Sequence, residues 1–199
     1  MAKDDVSKML RKEKRWNKGF PKHKIYLQKF IRKSKNHLDF GCGFGYFAYL
    51  LAKNFPQIQV TGIDVSNNAI RLGKKKYKRK NLQLKRAHTI KNCYDSITAI
   101  DVVHHLTNPS RYLRHFYEHL NDKGYVLIHD FRKVSRLKFR PCYEAKKAEG
   151  RYESSFEVMY KRHCRWTPKQ FSAMAKKAGF KQKYLKTRNY NFIYVGQKR

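Results

Sequence analysis

The chain has 199 residues, 41% of them hydrophobic and 15% aromatic, which excludes a disordered polymer and fits one globular domain. No run of 18 or more apolar residues occurs, and no apolar stretch follows the first charges as in a signal peptide, so an intracellular protein, cytoplasmic or nuclear and without a membrane span, is expected. The 47 Lys and Arg against 14 Asp and Glu give a formal charge of +33, and four cysteines without a CxxC pair (Cys42, Cys93, Cys142, Cys164) argue against a metal site or a disulfide framework.

In chain order, residues 3–15 are strongly basic and weakly amphipathic. Gly19 and Pro21 are expected to break the chain before "KHKIYLQKFIRK", which has helical spacing at Ile25, Leu27–Gln28 and Phe30–Ile31. "HLDF" predicts a short strand running into Gly41, Gly43 and Gly45, and "GYFAYLLAKNF" a helix stopped by Pro56. Glycine costs roughly 0.5–1 kcal/mol relative to alanine inside a regular element, so three close together suggest a backbone that a ligand approaches. "IQVTGIDV" reads as a buried strand, and Ser66 as the N-cap of a helix over "SNNAIRLGKKKYK". "LQLKRA" and "YDSITAIDVV" are the third and fourth strands. A helix begins near Pro109 and is closed by Gly124, and "YVLIHDF" is the fifth strand. Residues 132–165 have poor periodicity. Thr167, Pro168 and Gly179 bracket a last helix, and two strands are expected around Arg188–Asn189.

This alternation predicts an α/β, Rossmann-like, mostly parallel sheet of seven strands with an antiparallel C-terminal hairpin. Its ligand would lie beyond the carboxyl ends of the strands, beside the glycines. Residues 1–36 form a basic helical extension, and 37–199 the main domain.

A dinucleotide fingerprint reads GxGxxG, but Tyr46 stands where its last glycine would allow close helix–strand packing, which argues against NAD. The pattern is instead D-x-G-x-G-x-G, beginning at Asp39. With "LDFGCGFG", "VTGIDVS", "YDSITAIDVVHHLTNPSRYLRHFYEHLNDKGYVLI" and "WTPKQFSAMAKKAGF", the chain resembles the class I S-adenosylmethionine-dependent methyltransferases, especially the branch acting on quinone precursors and other small acceptors. The resemblance implies S-adenosylmethionine as cofactor. It implies that Gly41, Cys42, Gly43 and Gly45 form the loop against its methionine portion, with Asp39 steadying the loop or binding the ammonium. Asp64 would hold the ribose, Val65 would pack on adenine, and the Ile100 backbone would meet the amino group. His88 stands where the family places an acid or its amide for the adenine amine. Lys22 is a candidate for the donor's carboxylate, since related enzymes use a basic side chain about twenty residues before the first glycine.

Methyl transfer from a sulfonium is an in-line displacement governed by alignment, and it needs a base only for a protonated acceptor. His104 and His129 are the candidate bases. His129 would point towards the cleft or into the sheet, and strand alternation allows both. Residues 131–165 follow the fifth strand, where the family inserts segments that cover the substrate. Segment 37–70 carries one Lys against two acids, and 92–130 three bases against five acids, so the positive excess lies in 1–36, 71–91 and after 131. Such localisation suits a polyanion, with RNA ahead of DNA. Two alternatives remain: a small-molecule methyltransferase from a lysine-rich proteome, and a catalytically silent RNA-binding assembly factor with the same fold.

Overall fold

The computed structural model describes residues 3–150 and 154–199. Helix α1 (Lys3–Ile31) leads into strand β1 (Asn36–Phe40), followed by α2 (Tyr46–Asn54), β2 (Gln59–Asp64), α3 (Asn67–Lys76) and β3 (Leu82–Arg86). Next come β4 (Tyr94–Ile100), a 3₁₀ turn at Val103–His105, α4 (Pro109–Glu118) and β5 (Leu120–Phe131). Helices α5 (Arg136–Ala148), α6 (Phe156–His163) and α7 (Pro168–Lys177) precede the strands β6 (Lys181–Thr187) and β7 (Asn191–Gln197). The seven strands form one sheet in the order β3-β2-β1-β4-β5-β7-β6. Strands β1 to β5 pair in parallel, and β7 runs antiparallel to both β5 and β6. The order turns beside β1 and opens a crevice at its carboxyl end.

Each face of the sheet carries its own core. Leu113 and Phe116 of α4 and Phe171 and Ala175 of α7 pack with Leu38, Ile97 and Ile128 on one face. On the other, Trp16, Phe20, Leu27 and Ile31 of α1 pack with Phe47 and Leu51 of α2 and with Val60. Helices α5 and α6 make a smaller cluster, Phe139, Tyr143 and Met159 against Phe131, over the carboxyl ends of the strands. These helices occupy the segment whose periodicity was too poor to assign.

The break expected at Gly19 and Pro21 is absent, and α1 is one helix of 29 residues. A proline inside a helix costs about 3 kcal/mol through its missing donor and its clash with the preceding turn. Against that stand Trp16, Phe20, Leu27 and Ile31, all buried and spaced four, seven and four residues apart across the break. Each contributes roughly 1.5–3 kcal/mol of burial, so packing wins. Ile25, counted in the helical spacing of this segment, faces outward at 67% exposure. The helix expected to run to Gly124 also ends early, at Glu118, because Leu120 already pairs with Tyr94 at the start of β5. Ser66 and Thr167 cap α3 and α7 as expected, accepting hydrogen bonds from the amides of Ala69 and Gln170.

Helix α3 lies close to the glycine loop because Gly73 has no side chain. A Cβ there would stand 2.1 Å from the Phe44 carbonyl oxygen, a backbone atom that no rotamer change can move. Gly73→Ala is therefore expected to destabilise the fold by about 1–3 kcal/mol, read as a lower urea midpoint at unchanged m-value.

Candidate active site

The carboxyl ends of β1, β2, β4 and β5 open into a cavity of about 930 Å³ between α1 on one side and α5 and α6 on the other. At its floor, Gly41, Gly43 and Gly45 all adopt positive φ, of 71°, 58° and 79°. Gly41 is part of the cavity lining, and a Cβ at Gly43 would come within 2.6 Å of Nζ of Lys12, another lining residue. Gly41 faces Val102 and Gly45 faces Leu84, so those two owe their identity to the tight turn and to packing.

Asp64 ends β2 and ties this loop to the next helix. Its Oδ2 accepts the Gly43 amide at 2.7 Å and its Oδ1 the Ser66 amide at 2.9 Å. Each oxygen keeps a further lone pair. Asp39 is 2% exposed, and its Oδ1 accepts the Thr98 hydroxyl at 2.9 Å while Oδ2 has no partner. Burial raises its pKa to about 7, the Thr98 hydrogen bond opposing and the Asp64 charge adding to the rise. Behind it runs a buried relay. With Thr98 donating to Asp39, the Thr98 oxygen accepts from His37 Nε2 at 3.0 Å, and His37 Nδ1 accepts from the Ser96 hydroxyl at 2.7 Å. Burial lowers the His37 pKa to about 3, which keeps that ring neutral.

On the far side of the cavity, His104 Nδ1 lies 2.6 Å from Asp130 Oδ1, both residues being buried. Asp130 also accepts the amides of His104 and Phe131, so its carboxylate is locked in place. This engagement assigns the Nδ1 proton to the Asp130 side and leaves Nε2 as the basic nitrogen. The His163 ring stacks on His104 at 4.4 Å, and His105 lies at 4.0 Å. Burial, then the neighbouring His104, lowers the pKa of His163 to about 3 and of His105 to about 4, so both stay neutral near pH 7.

Helix α1 supplies the cavity's positive wall. Arg15 Nη1 donates to Asp101 Oδ2 at 2.8 Å, joining the helix to the end of β4. Burial alone would raise the Asp101 pKa, but Arg15 first, then His129 and Lys146, hold it below the ordinary carboxylate range. Eight Lys and Arg line the cavity against three carboxylates, and six of the eight belong to α1.

A family profile described as "Methyltransferase domain" matches residues 14–184. The chain belongs to the class I S-adenosylmethionine-dependent methyltransferases. A malonyl-[acyl-carrier protein] O-methyltransferase of Priestia megaterium is 28% identical over 123 residues, 59% of this chain and 45% of that protein. The mitochondrial ubiquinone biosynthesis O-methyltransferase of Saccharomyces cerevisiae is 30% identical over 99 residues, 46% of this chain and 32% of its own. The chain thus spans less than half the length of these curated relatives. Among solved structures, a chain from the complex between the Haloferax volcanii Trm112 methyltransferase activator and a methyltransferase superposes with a TM-score of 0.73 at 12% identity, over 99% of this chain and 98% of that one. A SAM-dependent methyltransferase from Aquifex aeolicus gives 0.68 at 18%, over 88% and 89%. At these identities the structures speak for the fold.

S-adenosylmethionine is the cofactor of this methyltransferase, and the site fits it. Asp39 lines the cavity, and its orphaned Oδ2 is a ready acceptor for an ammonium. Asp39, Gly41, Cys42 and Ile100 line the cavity, while Asp64, hydrogen-bonded to the Gly43 amide, is outside that lining. Val65, next to Asp64, is 59% exposed and outside the cavity lining. His88 is exposed and sits 3.4 Å from Arg86 Nη2, outside the cavity lining. Lys22 is exposed and is also outside that lining. Of the two candidate bases, only His104 lines the cavity. His129 lies under α1, its ring 4.9 Å from His23 and its Nδ1 3.7 Å from Asp101 Oδ1.

Sequence reading missed Lys12 and Arg15, which looked like any other basic residues. The signal was the apolar series Met9, Trp16, Phe20, Leu27 and Ile31, which fixes one face of α1 and leaves the basic residues beside it at the cavity mouth.

Proposed function

We propose that this methyltransferase moves a methyl group from S-adenosylmethionine to a proton-bearing atom of an anionic acceptor, with single-stranded nucleic acid, RNA ahead of DNA, as the acceptor class. The observation that carries this reading is the excess of cations around the cavity, beside the His104–Asp130 pair. The cofactor supplies an electrophilic methyl on a sulfonium. Asp64, already oriented by two backbone amides, offers its remaining lone pairs to the ribose hydroxyls. Asp39 Oδ2 takes the donor's ammonium. His104 Nε2 removes the acceptor's proton, and Asp130 holds the ring and stabilises the imidazolium that forms. Lys146 and Arg162, on the acceptor side, balance the acceptor's negative charge.

Arg15, rather than Lys22, is the better anchor for the donor's carboxylate. One of its five donors is used by Asp101 and the others remain available. Arg15→Ala is expected to raise the donor dissociation constant by about 10–100-fold, the range for a hydrogen bond to a charged group, and Lys22→Ala to leave it unchanged. Isothermal titration with S-adenosylhomocysteine reads both.

A second reading, a small carboxylic or phenolic acceptor, draws on the enclosure of the cavity by α5 and α6 and on the names of the two O-methyltransferase relatives. Labelled donor incubated with total RNA, DNA, protein and a small-molecule extract tests both. Transfer to RNA supports the first reading. Transfer to the extract with no labelled nucleic acid replaces it with the second, and donor binding without any transfer leaves the silent assembly factor.

A further inference from the structure

A second basic concavity, of about 710 Å³, lies at the far end of α3 against the edge strand β3. Lys74, Lys78, Arg79, Lys80 and Lys85 line it, and no acidic residue does. Among the described residues, no carboxylate lies within ion-pair distance of any of these five. The nearby Lys76 differs, pairing with Glu13 at 2.7 Å. Five like charges gathered without a counter-charge repel one another, and a bound polyanion would relieve that repulsion.

We infer that this groove holds the phosphate backbone of a single-stranded nucleic acid whose reacting nucleotide enters the cavity, an inference that rests on the nucleic-acid reading above. Three features favour phosphate over other anionic partners. Tyr77, the one aromatic residue of the lining, is 5% exposed and donates its hydroxyl to Glu13, so no ring is offered for base stacking and binding would be indifferent to sequence. Strand β3 has only five residues and carries Lys85 and Arg86, and lysine on an edge strand works against strand addition by an acidic peptide. Leu84, at the middle of the edge, is 4% exposed and leaves little backbone for such a strand to meet.

The two basic regions share a wall. Glu13 contacts Tyr77 and Lys76 at the groove side, while its neighbours Lys12 and Lys14 line the cavity. The groove runs along β3 to Lys85, and the next residue, Arg86, pairs in register with Asp64, so it leads along the sheet edge towards the donor side. Leu82 to Arg86 spans about 13 Å at ~3.3 Å per residue, which a stacked strand at ~3.4 Å per nucleotide covers with about five nucleotides.

The test uses the full chain and two fluorescent probes, a trinucleotide and a dodecanucleotide of uridine. Wild type should bind the dodecamer much more tightly than the trimer. The triple variant Lys78→Glu, Lys80→Glu, Lys85→Glu should lose at least tenfold in dodecamer affinity. Its log–log salt slope should be shallower by about two, at roughly 0.7 for each lost phosphate contact. Trimer and S-adenosylhomocysteine affinities should stay unchanged, and the latter also reports folding. The glutamine counterparts should show a smaller loss in the same direction. Equal dodecamer binding by wild type and both variants would overturn the groove while leaving the nucleic-acid reading intact. No dodecamer binding by wild type would remove that reading and the groove together. Binding of polyglutamate, but not of the dodecamer, at these lysines would assign the groove to an acidic protein segment instead.

Discussion

His104→Ala is expected to lower kcat by about 10²–10⁴, the usual worth of a positioned general base, with the donor dissociation constant unchanged. The residue meets the cavity through its ring, and its Nδ1 is committed to Asp130, so the variant removes the basic nitrogen without touching Asp39 or Asp64. Asp130→Asn should cost less. An amide oxygen can still accept the Nδ1 proton, but it no longer carries the charge that stabilises the imidazolium. A pH profile of kcat/KM separates catalysis from simple loss of structure. Wild type should show the acid limb of a general-base reaction, and His104→Ala should lack it. Neither His105 nor His163 can supply that limb near neutrality, since burial holds them at about 4 and about 3. Full turnover by His104→Ala would make the pair structural and leave alignment to do the chemistry.

Asp39→Asn should make the free protein more stable and a poorer binder of donor. The carboxyl's pKa rises from 3.8 to about 7 on burial, so the folded state holds the proton more tightly than the unfolded chain does. Its contribution to stability is complete below the lower value, declines as pH rises between the two, and is gone above the upper one. The interval corresponds to roughly 4 kcal/mol at about 1.4 kcal/mol per pH unit. Asparagine keeps an oxygen for the Thr98 hydroxyl but buries an amide where Oδ2 had no partner, which takes back about 1–3 kcal/mol. A net gain of about 1–3 kcal/mol at pH 8 follows, shrinking and then reversing below pH 4, and urea melts at both values read it. Donor affinity should fall by about 10–100-fold because the ammonium loses its buried counter-charge. A variant no more stable than wild type at pH 8 would mean that water already solvates Oδ2.

Much of the site could be read from local spacing. The turn from β1 into α2 requires residues at positive φ, which glycine alone adopts freely, and the acid ending β2 stands a fixed distance down the chain. Residues that bind through backbone geometry leave such marks in sequence. Arg15 and the relay from Ser96 through His37 to Thr98 leave none, because they act through contacts between residues 59 to 86 positions apart. His129 shows the same limit. Alternation along β5 allowed its ring either side of the sheet, and only the approach of α1 placed it against His23 and Asp101.

The amino-acid order by itself determined the alternation of strands and helices, the caps at Ser66 and Thr167, the glycine turn and the family, since each depends on neighbours within a few residues. The tertiary structure decided that α1 runs unbroken through Gly19 and Pro21, that its cations wall the cavity, and that His104 rather than His129 faces it with Asp130 behind. The reason is energetic. Burying Trp16, Phe20, Leu27 and Ile31 against the sheet outweighs a local preference of about 3 kcal/mol, and that balance exists only once the sheet is assembled.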